Sequence, residues 1–540
     1  MMDRRDFLKS GAAAGLFLSV GGVVMPFGQA FAQSADGASL RVLAEDGPNS
    51  RDPHGDGVNR ASLGTFTNIY DRLINFDRIE VSPGLYRYDY SRFKGELAER
   101  FEVLEDGKVL VFHLHPDATF HDGKPVTAAD VVWSLERGIN LPASKRQLGT
   151  GSIVSADQFE AVDDHTVRLS FARADRYTLP NLALTFASVL NSELVRSHAT
   201  EADPWGTEWL RNNAAGSGAF KVETWTAGQQ VIYSRFDDWK GGALPQIRRA
   251  LVQVVPAAPG RVAAVTRGDA DVALQLPPKD VAAIAADPKV KLISLPVTNS
   301  FRFVAFNTRT APFDDVRVRQ AIAWALPYED MFQGAIFGRG MPLYGAASAA
   351  PEGSAFPQPY PYQTDLDRAR ALLAEAGLGD GFETTFSYNV ADAVTADPIA
   401  LLVQEQLGRI GIKVTIEKVP TANWGTLLTE KKVPFYVEGS SAWFNDPDYF
   451  FRIFFQGDWR WNFGSFQNAE LTVLVEKARW ETDKDTYDDL IRQAIAIVFR
   501  ELPIMPLWLP SFDAAMQPAV DDFTYYIHGQ VDFRPLTKSA

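Results

Sequence analysis

Apolar residues recur along this chain with two periods, one of two residues and one of three to four, and together they divide it into many short strands and helices. Between residues 108 and 115, Leu110, Phe112 and Leu114 alternate with Val109, Val111, His113 and His115, as a half-buried strand requires. The preceding Glu105-Asp106-Gly107 forms a turn in which glycine supplies a positive φ. Residues 101–104 and 108–114 are therefore predicted to pair as a hairpin with the leucine and phenylalanine side inward. Thr127 is placed to cap a helix starting at Ala128, with Asp130 reaching back in a shortened capping box and Val131, Val132 and Leu135 as its buried stripe.

The C-terminal half repeats this pattern. Val318, Ala321, Ile322 and Ala325 have the spacing of a buried helical face, opened near Asp314 or Asp315 and stopped by Pro327. Ala369, Leu372, Leu373 and Ala376 do the same between a cap at Asp365 and a terminating Gly377. Asp397-Pro398 is predicted to open a further helix that closes near Gly408, after which Ile412, Val414 and Ile416 alternate as a strand. Alternating helices and strands, without a short repeat or a low-complexity linker, predict α/β layers, with the C-terminal half a lobe of its own.

The first segment has a different character. Asp3-Arg4-Arg5-Asp6-Phe7-Leu8-Lys9 precedes a weakly apolar run from Gly11 to Val24, a break at Pro26 and the small-x-small pattern Ala30-Phe31-Ala32. Residues 1–32 resemble a twin-arginine export signal, with Asp3 where Ser or Thr is usual. The run is too short and too interrupted to span about 30 Å of hydrocarbon. Export with signal removal places the mature chain in the periplasm, without direct insertion into a membrane.

Composition then narrows the function. The chain has 540 residues, enough for two or three packing units. It contains no cysteine, which excludes disulfides, thiolate metal sites, cysteine nucleophiles and a lipid-modified N-terminal cysteine. The formal net charge of -14 gives a field that repels nucleic acid and anionic membranes.

The nucleophile elbow, the phosphate loop, H-E-x-x-H and an EF-hand loop are all absent from the sequence. The glycines of Gly338-Arg339-Gly340 do not extend to a dinucleotide fingerprint, because Leu343 stands where the third glycine belongs. His113 and His115 share a predicted strand face and could share a metal, but that face points outward, so exposed imidazoles are expected. Asp446 and Asp448 flank a proline, as turn formers do, rather than forming an acid–base pair. No catalytic residue, metal or cofactor is expected.

Several separated stretches resemble the family 5 extracellular solute-binding proteins, receptors of peptide, nickel and opine ABC importers. Leu97-Ala98-Glu99 through Phe120-His121-Asp122-Gly123-Lys124-Pro125 and Thr127-Ala128-Ala129-Asp130-Val131 is similar to the family's hairpin, F-H-D-G turn and T-A-x-D-V helix start. Gly216-Ser217-Gly218-Ala219-Phe220 and Phe236-Asp237-Asp238-Trp239-Lys240-Gly241 resemble its G-T-G-P-Y and Y-W-x-G segments. Phe306-Asn307-Thr308 with Pro312-Phe313-Asp314-Asp315-Val316-Arg317-Val318-Arg319-Gln320-Ala321 resembles its N-T, P-F-x-D and V-R-Q-A run. Gly464-Ser465-Phe466-Gln467-Asn468 and Leu502-Pro503-Ile504-Met505-Pro506-Leu507 extend the likeness over most of residues 40–510. His121, Asp122, Asn307 and the helix at 316–321 are expected to fix turns and packing rather than ligand.

The resemblance implies a two-lobed periplasmic binding protein fold with a hinge and an additional domain inserted in lobe I. Lobe I would comprise 38–75, 178–288 and 506–540, the insert 76–177 and lobe II 289–505. It also implies a monomer that captures a small organic ligand, peptide-like, opine-like or sugar-like, and delivers it to an ABC permease in the inner membrane. The alternative from another class is an exported hydrolase acting on a peptide or glycan, which would yield product where a receptor returns its ligand intact. A sensory co-receptor would use the same fold.

In peptide-binding members an aspartate in a D-Y-x-D-P-like loop pairs with the peptide's ammonium group. Here the loop reads Ser441-Ala442-Trp443-Phe444-Asn445-Asp446-Pro447-Asp448, with Trp443 at that aspartate's place and Asp446 available if the alignment is displaced. A buried ammonium without a carboxylate is costly, which disfavours an ordinary free-amine peptide. Trp443 offers a stacking surface and Asn445 both a donor and an acceptor. Trp424 and Tyr70 are further aromatic candidates, and Arg302 could meet a carboxylate. The expected ligand-binding set is thus Trp443, Asn445, Asp446, Trp424, Tyr70 and Arg302.

Overall fold

The computed structural model of the chain describes residues 39–344 and 360–539. The export segment expected at 1–32 lies outside them. Two large sheets carry the two lobes. The first has seven strands in the order Lys291–Pro296, Ser511–Met516, Val272–Ala273, Ser39–Ala44, Arg249–Val254, Gln230–Arg235 and Phe220–Thr226. The second has six, in the order Met341–Pro342, Ile504–Leu509, Ser300–Phe306, Phe435–Ser441, Phe382–Asn389 and Ile412–Val419.

The predicted hairpin is present as Ala98–Leu104 paired antiparallel with Val109–Leu114, with Leu110, Phe112 and Leu114 buried. Gly107 takes the positive φ that the turn needs, at 89°. These strands belong to a four-stranded sheet completed by Thr166–Ser170 and Phe159–Asp163, under the helix Ala128–Asn140. Thr127 and Asp130 form a complete capping box at that helix's start, so the aspartate is long enough to close it. Asp315 and Asp365 likewise cap Val316–Ala325 and Leu366–Glu375.

One helix starts earlier than its sequence signals suggest. It spans Ala393–Gly408, so Pro398 lies inside it rather than at its opening. Asp397, instead of capping the helix, accepts from the Tyr388 hydroxyl and the Lys418 ammonium. The start is set by the short 3-10 turn Val390–Asp392, which leads directly into the helix. The strands on either side, Phe382–Asn389 and Ile412–Val419, pair in parallel as a helical crossover requires.

The chain passes between the two sheets at two places. Lys291–Pro296 runs in the first sheet and Ser300–Phe306 in the second, so the outward crossing is 297–299. Ile504–Leu509 runs in the second sheet and Ser511–Met516 in the first, so the return crossing is Pro510. The sequence expectation begins lobe II at 289 and returns to lobe I at 506, whereas the sheets place the crossings at 297–299 and 510. The two are antiparallel neighbours, joined by a 2.9 Å hydrogen bond from the Val297 N–H to the Pro510 carbonyl.

A buried ionic cluster ties the insert to the body. The Arg72 guanidinium grips Glu96 with Nε and Nη2 at 2.8 and 2.7 Å, and Arg534 reaches the same carboxylate from near the C-terminus. Burial pushes the Glu96 carboxyl's pKa up, but Arg72 and Arg534 together bring it below the ordinary value of 4.5. Glu96→Gln leaves the buried Arg72 guanidinium without its carboxylate, while Arg534 keeps Asp532 at 2.8 Å, and urea unfolding should show a loss of about 3–5 kcal/mol. Because the folded pKa is lowered, this contribution is present above about pH 4.5 and is lost as the pH falls through the folded value. The gap between wild type and variant should accordingly narrow in acid, and a gap independent of pH would contradict the assignment.

Candidate ligand cleft between the lobes

A cleft of about 2680 Å³, its open mouth included, lies where the crossings bring the lobes together. Lobe I and its insert contribute the turn at Gly55–Val58, Arg60, the helix Pro142–Gly149 and Phe186. Lobe II contributes the ends of two neighbouring strands, residues 300–303 and 438–441, together with Trp424, the segment Trp459–Trp461 and Trp508. The wall thus interleaves eleven aromatic rings with nine charged side chains.

Of the residues singled out in the sequence, three reach this cleft. Trp443 extends from lobe II and stands edge-to-face against Phe186 of lobe I, with ring centroids 4.8 Å apart, and against His528, at 4.3 Å. It thereby packs across the gap between the lobes. Burial, and then the charge of Arg60, bring the His528 pKa down to about 3, so this imidazole is neutral near pH 7. Trp424, on the helix Thr421–Thr429, donates its indole N–H to Glu438. Arg302 donates from Nη1 to Asp392 at 3.1 Å, while its Nε and Nη2 are buried without a partner. Gly439 lies opposite it in the strand pair, and a side chain there would come within 3.4 Å of Nη1.

The other three lie elsewhere. Tyr70 is fully buried in the core of lobe I, its hydroxyl donating to the Arg51 carbonyl, so it does not reach the cleft. Asn445 is exposed and donates at 3.2 Å to the Thr298 hydroxyl beside the crossing. Asp446 caps the helix Pro447–Phe454 and accepts at 2.7 Å from both the Tyr177 and Tyr487 hydroxyls. It lies outside the cleft wall, and these contacts, with that from the Asp448 N–H, all fall on Oδ1. Tyr177 belongs to the segment entering lobe I, and its ring stacks on Phe444 of lobe II at 5.2 Å. The lobes therefore touch at this second place as well, reinforced by Arg479 donating to Asp175.

Charged groups that the sequence did not single out complete the wall. Arg339 of lobe II pairs with Asp513 of lobe I at 2.8 Å beside the crossings. Glu438 accepts from the Gly439 N–H at 2.8 Å as well as from Trp424, and burial raises its pKa above the usual carboxylate value. Trp459 and Trp461 are about half exposed, at 49% and 48%, around Arg460. The sequence does show Trp459-Arg460-Trp461 as a local concentration of indoles, but nothing in it places them at a cleft. His113 contacts Glu102 at 3.2 Å, and no group of three or more potential metal ligands occurs among the described residues.

Comparison with known proteins agrees with this architecture. The family model for bacterial extracellular solute-binding proteins, family 5 (middle), matches residues 92–462. Heme-binding protein A of Haemophilus influenzae is 29% identical over 481 residues, 84% of each chain. The dipeptide-binding protein of Escherichia coli is 27% identical over 471 residues, covering 81% of this chain and 83% of its own. The solved structure of the binding protein AgaA from A. tumefaciens R10, in complex with agropinic acid, superposes with a TM-score of 0.74 at 26% identity, covering 93% of this chain and 99% of that one. With the family model spanning more than half of the sequence and a cleft between two lobes joined by paired crossings, this chain belongs to the family 5 bacterial extracellular solute-binding proteins.

Proposed function

We propose that the protein is a periplasmic receptor that takes a small organic solute into the interlobe cleft and hands it unaltered to the permease of an ABC importer. The observation that carries this reading is the cleft itself, walled by both lobes beside the two antiparallel segments through which the described chain crosses between them. The names of the relatives support the class of cargo: heme, dipeptide and agropinic acid are all small organic molecules. Residues 1–32 would act as a twin-arginine export signal, and the mature receptor would work as a monomer. No helix among the described residues is long and apolar enough to cross a membrane.

Such a receptor works through differential affinity. A solute favours closure only as far as it binds the closed form more tightly than the open one. A micromolar solute provides roughly 8 kcal/mol, from which closure and immobilisation subtract. Trp443, Trp424 and Arg302 are the proposed contacts because they line the cleft from lobe II. Tyr70, Asn445 and Asp446 instead keep the frame that presents them.

Two outcomes follow. Protein purified under native conditions should retain a small molecule visible by native mass spectrometry, and small-angle scattering should show a smaller radius of gyration with that cargo than after its removal. Equal radii in both states would overturn the receptor reading. Trp443→Ala should weaken binding of the same cargo in calorimetry by more than about threefold, or about 0.65 kcal/mol. A smaller change removes Trp443 from the contact set.

A further inference from the structure

Four carboxylates line the cleft, and three of them have an arginine partner: Asp56 with Arg146 at 3.5 Å, Asp392 with Arg302 at 3.1 Å and Asp513 with Arg339 at 2.8 Å. Glu438 differs, since its two hydrogen-bond donors, the Gly439 N–H and the Trp424 indole, are both neutral. A largely desolvated carboxylate with neutral donors alone is a costly arrangement, and a cation arriving beside it recovers much of that cost. The neighbouring side chains suit a particular kind of cation. Phe303 stands directly across from Glu438 in the antiparallel register, so both side chains project from the same sheet face. The Trp424 indole touches the carboxylate, and Phe303 and Trp424 belong to one buried apolar cluster, against which Phe301 and Phe463 also pack. Aromatic faces attract an organic cation through their quadrupole, and most strongly where water is excluded.

We infer that Glu438, flanked by Trp424 and Phe303, seats an organic ammonium group of the bound solute. The inference rests on the receptor reading and deepens it by naming a feature of the cargo. Arg302 lies close enough to act on Glu438 electrostatically, but its own charge is met by Asp392 at 3.1 Å. With Glu438 ionised, these three groups sum to one negative charge. Tyr436 is the other titratable group acting there, from the same strand as Glu438, and burial followed by the Glu438 charge pushes its pKa far up, so it stays a neutral phenol. The helix carrying Trp424 brings no charged residue. The seat also changes what Trp443 implies. A tryptophan in place of the loop aspartate disfavours an ammonium group at that position, whereas Glu438, five residues earlier in the sequence, returns a carboxylate to the cleft.

The test uses cargo-free full-length receptor and two probes that differ in one charge, phenylalanyl-phenylalaninamide and its N-acetyl derivative, measured by calorimetry at pH 7.5. The free-amine probe should bind at least tenfold more tightly, and Glu438→Gln should bring the two within threefold of each other while leaving the melting temperature near that of wild type. The comparison of probes on wild-type protein stands even if the variant folds poorly. Equal binding of the two probes, binding of neither, or a preference that survives in a folded Glu438→Gln protein would overturn the seat. Mass spectrometry separates this failure from that of the receptor reading. A retained cargo without a cationic nitrogen overturns the seat and leaves the receptor standing, whereas absence of both cargo and compaction overturns the two together.

Discussion

The hydrogen bond between the Val297 N–H and the Pro510 carbonyl marks the constraint on which the molecule depends. Two antiparallel strand paths leave one sheet side by side and enter the other side by side, so each sheet borders the crossing with the same pair of chain segments. The backbone link between the sheets is thereby a narrow seam. It also fixes where a cleft can form. Ser300, Arg302, Pro510, Ser511 and Asp513 line the cleft because they immediately follow or flank the crossings. The Arg339–Asp513 pair spans the lobes beside the same seam, where a small rotation changes its geometry little.

Farther from the seam the contacts are of another kind. The Tyr177 hydroxyl on Asp446, its ring on Phe444 and the Arg479–Asp175 pair join the side of lobe I that carries the insert to lobe II. Rotation about the crossings must make or break these together. Their directional hydrogen bonds favour a defined closed geometry, and each exchanges contacts with water for contacts within the protein, so the net gain is modest. A balance of that kind is what a receptor requires. Strong closure without cargo would hide the cleft, and no closure would leave the solute's binding energy uncoupled from the shape of the protein.

Much of the architecture was legible in the sequence because local signals and tertiary packing agree there. Gly107 supplies the turn of its hairpin, Thr127 with Asp130 closes a capping box, and Asp315 and Asp365 start helices whose apolar stripes meet the core. Pro398 misled because the preceding 3-10 turn had already begun the helix, and one missing N–H inside sixteen residues is tolerated there. The site was harder to read. Tyr70 and Trp424 are both buried aromatics, and only the fold separates the one in a core from the one at a cleft. Asp446 satisfies a local rule, that of a helix cap beside a proline, and two tyrosine hydroxyls meet the same oxygen away from the cleft wall. Glu438 carries no local motif at all. Its character comes from the register that sets Phe303 across from it and from a helix that brings Trp424 over it.

The central claim is that cargo draws two lobes together about one seam. The absence of cysteine lets that motion be followed directly, since two introduced thiols are the only ones available for labelling. Lys145 on the helix Pro142–Gly149 and Ala422 on the helix Thr421–Thr429 are exposed, and both helices contribute to the cleft wall. Spin labels at Lys145→Cys and Ala422→Cys, measured by double electron–electron resonance, should report a broader and longer distance without cargo and a shorter, narrower one with it. A single distribution unchanged by saturating cargo would contradict the account.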